Sequence, residues 1–249
     1  MEQIALVTGS SKGIGKAIAI RLGMEGYIIY VTYLTDKRGG EETINEIVEN
    51  GGKAHLLELD VRYEDSVKSA FEVVTQHYGH LNVLVNNAGI DIPKNIKEIT
   101  LEEWGKVVET KINGNFLCTK YGLPLLMYQE NANLIIITST LGEYPKPEYL
   151  AYSVGSAGII AFAKAMALEL SKYGIRTNAV CPGTTRTFMQ ESIRGTNEDV
   201  WNNLANNNPM GRLSTPQDIA SVVMSIIKDV SRYLNGTVIH VDGGMYLKR

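Results

Sequence analysis

The sequence contains few cysteines and few histidines, which restricts the chemistry available to it. There are 2 cysteines and 4 histidines among 249 residues. Cys118 and Cys181 lie in apolar surroundings without Cys-x-x-Cys spacing, so we expect buried, reduced thiols rather than a disulfide, a metal site or a nucleophile. The histidines show neither metal-ligand spacing nor an obvious Ser or Cys partner, and we predict no metal site. They are His55, His77, His80 and His240.

An excess of positive charge and a long apolar run are also missing. The chain has 24 Lys and Arg against 27 Asp and Glu, a formal net charge of −3, and its basic residues are scattered. This balance disfavours nucleic acid as a partner. No apolar run approaches the about 18 residues that span a bilayer, and residues 1–15 lack the layout of a signal peptide. We therefore expect a cytoplasmic protein without membrane association.

A glycine-rich turn follows the first apolar run. It reads Thr8-Gly9-Ser10-Ser11-Lys12-Gly13-Ile14-Gly15 and opens directly into a helical pattern. Gly9 permits a tight exit from a strand, Gly13 lets the backbone approach a ligand, and Gly15 lets the next helix lie close to the sheet. The unpaired N–H groups of that helix would face an anion. We interpret the turn as a phosphate-binding site; an ordinary strand-to-helix turn is the alternative, because glycine also occurs in loops that bind nothing.

Strand patterns alternate with helical patterns along the whole chain. Strands are predicted at 4–7, 27–33, 54–59, 81–85, 134–138, 175–181 and 237–241, and helices at 16–25, 41–49, 64–78, 101–128 and 152–173. This alternation predicts an α/β fold, a doubly wound Rossmann-type parallel sheet of about seven strands with helices on both faces, in a single domain over residues 1–249.

Polar residues recur where the predicted strands end. They are Thr8-Gly9, Tyr33, Asp60-Val61, Asn86-Asn87-Ala88-Gly89, Ser139 and Pro182-Gly183. Since the carboxyl ends of parallel strands share one edge, these residues predict a common ligand cleft. The irregular segment 184–213 is interpreted either as a lid over this cleft or as a surface insertion.

These motifs resemble the short-chain dehydrogenase/reductase family, and within it the 3-oxoacyl-acyl-carrier-protein reductases, over essentially the whole chain. The resemblance implies a nicotinamide dinucleotide cofactor, a small-molecule or carrier-bound carbonyl substrate and a homotetramer, or a hetero-oligomer with an active relative. By resemblance, the cofactor-binding residues are Gly9, Ser11, Lys12, Gly13, Ile14, Gly15, Tyr33, Asp60, Val61, Asn87, Ala88, Gly89, Tyr152, Ser156, Pro182, Gly183 and Thr187.

The end of the second strand bears on the choice of cofactor. An NAD enzyme of this type needs a carboxylate there for the adenosine 2′-hydroxyl, and the same carboxylate would repel a 2′-phosphate. Tyr33 occupies that position, and Asp36 follows three residues later. Lys12 puts an ammonium where family members that prefer NADP have one. We predict NADP(H), with NAD(H) less favoured.

The resemblance also implies a catalytic tyrosine, a serine, a lysine four residues after the tyrosine and an asparagine on the long helix. Tyr152 and Ser139 match the first two. Ser156 stands in place of the lysine, and Lys111, seven residues after Trp104, stands in place of the asparagine. A cation is needed because an unperturbed tyrosine has a pKa of about 10.

Two hypotheses account for the altered positions. In the first, Lys111 supplies the missing ammonium to Tyr152, and Ser156 keeps a ribose or water contact. The chain is then an NADP(H)-dependent reductase of a ketone, a 3-oxoacyl group or a related carbonyl, with Tyr152 as proton donor and Ser139 holding the substrate oxygen. In the second, the chain is a catalytically silent, NADP(H)-binding subunit with a structural or regulatory role. Pairing Asn113 with the family's asparagine would turn its side chain away, so we discount that alignment.

Overall fold

A seven-stranded parallel sheet forms the centre of the computed structural model, which describes residues 2–127, 129–228 and 232–248. The strands are β1 (Gln3–Val7), β2 (Tyr27–Tyr33), β3 (Lys53–Glu58), β4 (Val83–Asn86), β5 (Asn133–Ile137), β6 (Arg176–Pro182) and β7 (Val238–Val241). Their order in the sheet is β3-β2-β1-β4-β5-β6-β7, and every neighbouring pair is parallel. The predicted doubly wound parallel sheet is confirmed.

Helices cover both faces of this sheet. They are α1 (Gly13–Met24), α2 (Lys37–Glu49), α3 (Glu64–His77), α4 (Leu101–Val108), α5 (Gly114–Leu126), α6 (Leu150–Leu170), α7 (Phe188–Arg194), α8 (Glu198–Asn207) and α9 (Pro216–Ile227). Tyr128, where the sequence pattern ends the long helix, lies outside the described residues.

Two hydrophobic cores form, one on each face. Side chains alternate across a strand, so Ile4 and Leu6 of β1 join one core, whereas Ala5 and Val7 join the other. Helices α3, α5 and α6 pack in the first core, and α1, α2 and α9 pack in the second. Burial on both faces explains why the strands read as continuous apolar runs rather than alternating ones.

The long helix predicted at 101–128 is not regular. A π-helical turn, Glu109–Asn113, separates α4 from α5. A π turn holds one more residue per hydrogen-bonded ring than an α turn, which changes the direction of the side chains within it. The Asn115 side chain supports this turn, because its Nδ2 donates to the Lys111 carbonyl at 2.6 Å. The Lys111 side chain therefore projects from a π-helical turn, which the spacing of the apolar residues did not predict.

The helical stretch 150–173 is long and apolar enough, by composition, to cross a membrane, which the sequence reading did not anticipate. Its inner face, including Ile159, Ala163 and Leu170, packs in the first core. This is the arrangement of a core helix with one face packed on the sheet, whereas Leu168 and Val154 on its other side are exposed.

Candidate active site

A cavity of about 590 Å³ opens along the carboxyl ends of the strands. Most residues that the sequence assigned to the site line it: Gly9, Ser11, Lys12, Gly13, Ile14, Tyr33, Asp60, Val61, Asn87, Ala88, Gly89, Lys111, Ser139, Tyr152, Pro182, Gly183 and Thr187. Gly15 and Ser156 do not. The cleft expected at this edge of the sheet is therefore present, with one end at the glycine turn and the other at Tyr152.

The glycine turn has the backbone that its sequence requires. Gly9 and Gly13 adopt φ values of +64° and +61°, which side chains with a Cβ rarely tolerate, and α1 begins at Gly13. The loop after β4 clamps the turn: Asn87 Nδ2 donates to the carbonyls of Thr8 and Gly9, at 2.9 and 3.1 Å. Gly15 lies behind the turn, where an added Cβ would collide with the Gly9 carbonyl. Its role is to let α1 pack, rather than to touch a ligand.

This cradle fits a nicotinamide dinucleotide. The first N–H groups of α1 have no intrahelical partner and lie at the rim of an elongated cavity, as a diphosphate requires. A Cβ at Gly9 would lie 3.2 Å from Ala88 Cα, so the backbone surface that would receive the ligand depends on glycine there.

At the end of β2 the structure adds an acid to the cavity wall. Tyr33 directs its hydroxyl away, donating to Glu58 at 3.3 Å. Asp36 also lines the cavity: it caps α2 by accepting from the Gly39 amide, and its Oδ2 lies 3.5 Å from Lys12 Nζ. Asp36 lies in the loop between β2 and α2, and the chain turns back there to begin α2, which places this ion-paired acid in the cavity wall.

After β3, Asp60 is held by Arg62. The Arg62 Nε donates to Asp60 Oδ1 at 2.9 Å, and this contact with the guanidinium keeps the pKa of the Asp60 carboxyl below its ordinary value. The acid is therefore ionised and oriented at the cavity wall at neutral pH.

Tyr152, Ser139 and Lys111 meet at the other end of the cavity. Ser139 follows β5 and is fixed by the short helical turn that it caps, with its Oγ accepting from the Leu141 amide at 3.2 Å. Tyr152 stands in the first turn of α6. The Lys111 Nζ, from the π turn, lies 4.0 Å from the centroid of the Tyr152 ring. Lys111 is only 3% exposed.

Burial dominates the electrostatics of this group. Removal from water lowers the pKa of Lys111 to about 8, against an opposing effect of Asp91. Burial also raises the pKa of the Tyr152 phenol, Asp91 raises it further, and a hydrogen bond with Ser139 opposes the change. Lys111 is mostly an ammonium at neutral pH, and Tyr152 is protonated.

Ser156 lies apart from this cluster. It is fully buried, and its hydroxyl has no hydrogen-bond partner among the described residues. Its carbonyl accepts from Thr138 Oγ1 at 2.9 Å, which ties α6 to the end of β5. Ser156 does not line the cavity, because α6 directs this side chain into the protein interior. The structure therefore does not support the ribose or water contact expected of it.

The sequence reading missed Asp91. This acid lines the cavity two residues after the Asn86–Gly89 motif, and both of its carboxylate oxygens are shielded from solvent. Burial raises its pKa to about 6, opposed by Lys111 and by Arg194 of α7. The sequence offered one signal for Asp91, since this acid follows closely after the polar motif at the end of β4.

Only the first part of segment 184–213 borders the cavity. Residues 184–194 contribute lining residues, and Arg194 Nη2 donates to the Tyr149 hydroxyl at 3.0 Å across the opening. In α8, Trp201 is buried and its Nε1 donates to the Gly195 carbonyl at 3.0 Å. The segment therefore combines a covering helix, α7, with a supporting helix, α8.

A glycine cradle at the edge of a doubly wound sheet, joined to a Tyr–Ser pair beside a buried lysine, defines a nucleotide-dependent oxidoreductase of the Rossmann class. Residues 9–246 match the family model described as Enoyl-(Acyl carrier protein) reductase. The chain belongs to the short-chain dehydrogenase/reductase family and is similar to its 3-oxoacyl-acyl-carrier-protein reductases.

Individual relatives share the whole length of the chain. It is 35% identical to glucose 1-dehydrogenase 2 of Bacillus subtilis, covering 98% of this chain and 94% of that protein. It is 34% identical to the 3-oxoacyl-acyl-carrier-protein reductase FabG of Staphylococcus aureus, covering 99% of each. Among solved structures, a variant of actinorhodin polyketide ketoreductase with NADPH superposes with a TM-score of 0.93 at 33% identity, covering 98% of this chain and 97% of that one.

Proposed function

We propose that this chain is an NADP(H)-dependent reductase of a ketone, a 3-oxoacyl group or a related carbonyl, with Tyr152 as proton donor. The observation that carries the proposal is the Lys111 Nζ, 4.0 Å above the Tyr152 ring in the cavity that contains the glycine cradle. Lys111 then serves as the cation that the missing lysine at Ser156 would otherwise provide.

Each residue has a defined task in this mechanism. A bound nicotinamide supplies the hydride that adds to the carbonyl carbon. Tyr152 donates its phenolic proton to the carbonyl oxygen, and Ser139 donates a hydrogen bond to the same oxygen. The remaining phenolate spreads its negative charge over the ring, so an ammonium above the ring face stabilises it, by about 2 kcal/mol or more in a desolvated site. This stabilisation of the phenolate would act against burial and the Asp91 charge, both of which raise the pKa of Tyr152.

The preference for NADP(H) is supported by Lys12. Its ammonium lies at the cavity wall near the end of β2, within 3.5 Å of Asp36. An acid already paired with a lysine and with a helix N-terminus repels a 2′-phosphate less than a free acid does. NADPH in the polyketide ketoreductase structure is consistent with this preference. Cytoplasmic location and a homotetramer, or a hetero-oligomer with an active relative, complete the proposal.

NADPH oxidation tests the proposal over a panel of β-keto thioesters, diketones, quinones and enones. We expect turnover by the natural protein and a loss of about 10²- to 10⁴-fold in Lys111→Ala, the range of a general acid–base group. Tyr152→Phe is the matched control, because it keeps the ring under Lys111 and removes only the hydroxyl group that carries the transferable proton. It should abolish turnover while NADPH binding, followed by fluorescence, is retained.

The alternative is a silent NADP(H)-binding subunit with a structural or regulatory role. The raised pKa of Tyr152 and the enclosed hydroxyl of Ser156 favour it, since neither helps a phenolate to form. In that case no substrate is turned over by the natural protein, NADPH still binds, and Lys111→Ala alters stability alone. Activity that appears only in Ser156→Lys would also support the silent subunit.

A further inference from the structure

Asp91 is a buried acid that takes no part in the proposed proton transfer from Tyr152. Both carboxylate oxygens are enclosed, and no described side chain makes a hydrogen bond to them. Isolated charge is costly in such a site unless a cation acts on it. The carboxylate therefore needs a cation nearby, and the cavity supplies two.

Four titratable groups act on Asp91, and each comes from a neighbouring segment. They are Lys111 from the π turn, Arg194 from α7, and Tyr149 and Tyr152 at the start of α6. The Ile92 amide also acts on it.

The Lys111 ammonium in turn faces three groups: Asp91 from the loop after β4, Tyr152 from α6 and Cys181 from β6. Burial raises the pKa of the Cys181 thiol to about 12, so this group is neutral at physiological pH. Among the described groups that act on Lys111, Asp91 is thus the one with negative charge.

Packing fixes where the ammonium lies. A Cβ added at Gly89 would be 3.7 Å from Lys111 Nζ, and one added at Gly155 would be 3.1 Å from its Cδ. The side chain runs between these two glycines, with its end against the loop that carries Asp91 two residues further on.

We propose that Asp91 is a positioning residue, whose buried carboxylate keeps Lys111 protonated over the ring of Tyr152. The catalytic consequence of this pairing rests on the proposed function. Because Lys111 has a pKa of about 8 and Asp91 one of about 6, both are charged between these values. Without the carboxylate, Lys111 would lose its proton at lower pH, and the cation would be depleted under physiological conditions.

The pH dependence of unfolding tests the pairing without any substrate. The folded-state pKa of Lys111, about 8, lies below its ordinary value of 10.5. The unfolded chain therefore holds this proton more tightly, and the contribution of Lys111 to stability rises as the pH rises between these two values. The contribution is measured as the difference in urea unfolding between the natural protein and Lys111→Met.

In Asp91→Asn we expect this rise to begin about one pH unit lower, since removal of an opposite charge that acts on a buried ammonium lowers its pKa by about that much. The contribution of Lys111 is measured again in the Asp91→Asn background, as the difference in urea unfolding between Asp91→Asn and the double variant Asp91→Asn/Lys111→Met. Effects of Asp91 on the rest of the protein are present in both of these variants and cancel. Asp36→Asn is the control, because Asp36 pairs with Lys12 at the other end of the cavity. If the contribution of Lys111 to stability rises at the same pH with and without Asp91, the proposal is overturned.

A kinetic arm separates this proposal from the proposed function. If the chain is a reductase, activity falls on the alkaline side as Lys111 loses its proton, and Asp91→Asn moves this fall to lower pH while Asp91→Glu restores part of it. If activity falls at the same alkaline pH in Asp91→Asn as in the natural protein, the positioning role is contradicted. A shift in the unfolding curves together with no turnover on any carbonyl supports the Asp91–Lys111 pairing and refutes the proposed function instead.

Discussion

Replacing Gly155 with alanine tests the path that the Lys111 side chain takes to Tyr152. Gly155 lies inside α6, where alanine ordinarily stabilises a helix by about 0.5–1 kcal/mol relative to glycine. Here the added methyl would lie 3.1 Å from Lys111 Cδ and 3.7 Å from its Cε. Overpacking of this kind costs about 1–3 kcal/mol. We expect the free energy of unfolding of Gly155→Ala to range from unchanged to about 2.5 kcal/mol lower.

A double-mutant cycle with Lys111→Ala isolates this contact. Alanine at 111 lacks Cδ and Cε, so Gly155→Ala should then be stabilising, by up to about 1 kcal/mol. The contact with Cβ, 3.3 Å from the added methyl, is present in both backgrounds and cancels. The expected coupling is about 1–3 kcal/mol, measured by urea unfolding at fixed pH. NADPH oxidation by Gly155→Ala should fall as well, because the ammonium is displaced from the Tyr152 ring.

Gly158→Ala provides the matched control. Gly158 lies on the same helix, and its added methyl would meet Ile112 Cδ1 at 2.9 Å rather than Lys111. Its effect should be the same with and without Lys111→Ala. If the effects of Gly155→Ala and Lys111→Ala add within about 0.5 kcal/mol, the Lys111 side chain does not lie against Gly155, and its route to Tyr152 is refuted.

Further predictions concern the rest of the cavity and the thiols. Lys12→Ala should lower the ratio of kcat/KM for NADPH over NADH and Asp36→Asn should raise it, because they remove opposite charges from one wall; an unchanged ratio in both would disprove this role. Asn87→Ala should lower the free energy of unfolding by about 1–3 kcal/mol in urea titrations and weaken NADPH binding, since two carbonyls of the turn lose their donor. Cys118 and Cys181, both buried with pKa values raised to about 12, should resist a thiol reagent until the protein is denatured, and fast labelling of the native protein would contradict their burial.

Local patterns in the sequence account for most of the fold. The alternation of buried strands and amphipathic helices required a parallel sheet, and the polar residues at strand ends required a cleft at one edge, because both follow from the periods of helix and strand. The glycine turn was recognisable for the same reason, since positive φ at Gly9 and Gly13 is a local property of the chain. The π turn at Glu109–Asn113 was not recognisable, as it leaves the apolar spacing almost intact.

The sequence alone did not decide which cation lies beside Tyr152. From the sequence, Lys111 and Ser156 were two changed positions on different helices, equally compatible with relocation and with loss. Their side chains are separated by 45 residues of sequence, so the distance from Lys111 Nζ to the Tyr152 ring depends on how α6 packs on the π turn. The same packing enclosed Ser156 and made room at Gly155.

By itself, then, the sequence determined the Rossmann-type fold and predicted the glycine turn, because each depends on residues close together in the chain or on a repeated period, whereas Tyr152 and Ser139 were singled out by the family resemblance. The tertiary structure alone decided that Lys111 faces Tyr152, that Asp36 pairs with Lys12 and that Asp91 is buried in the cavity. These are charges brought together from separate segments. Their ionisation depends on the water that folding removes around them, which no local pattern encodes.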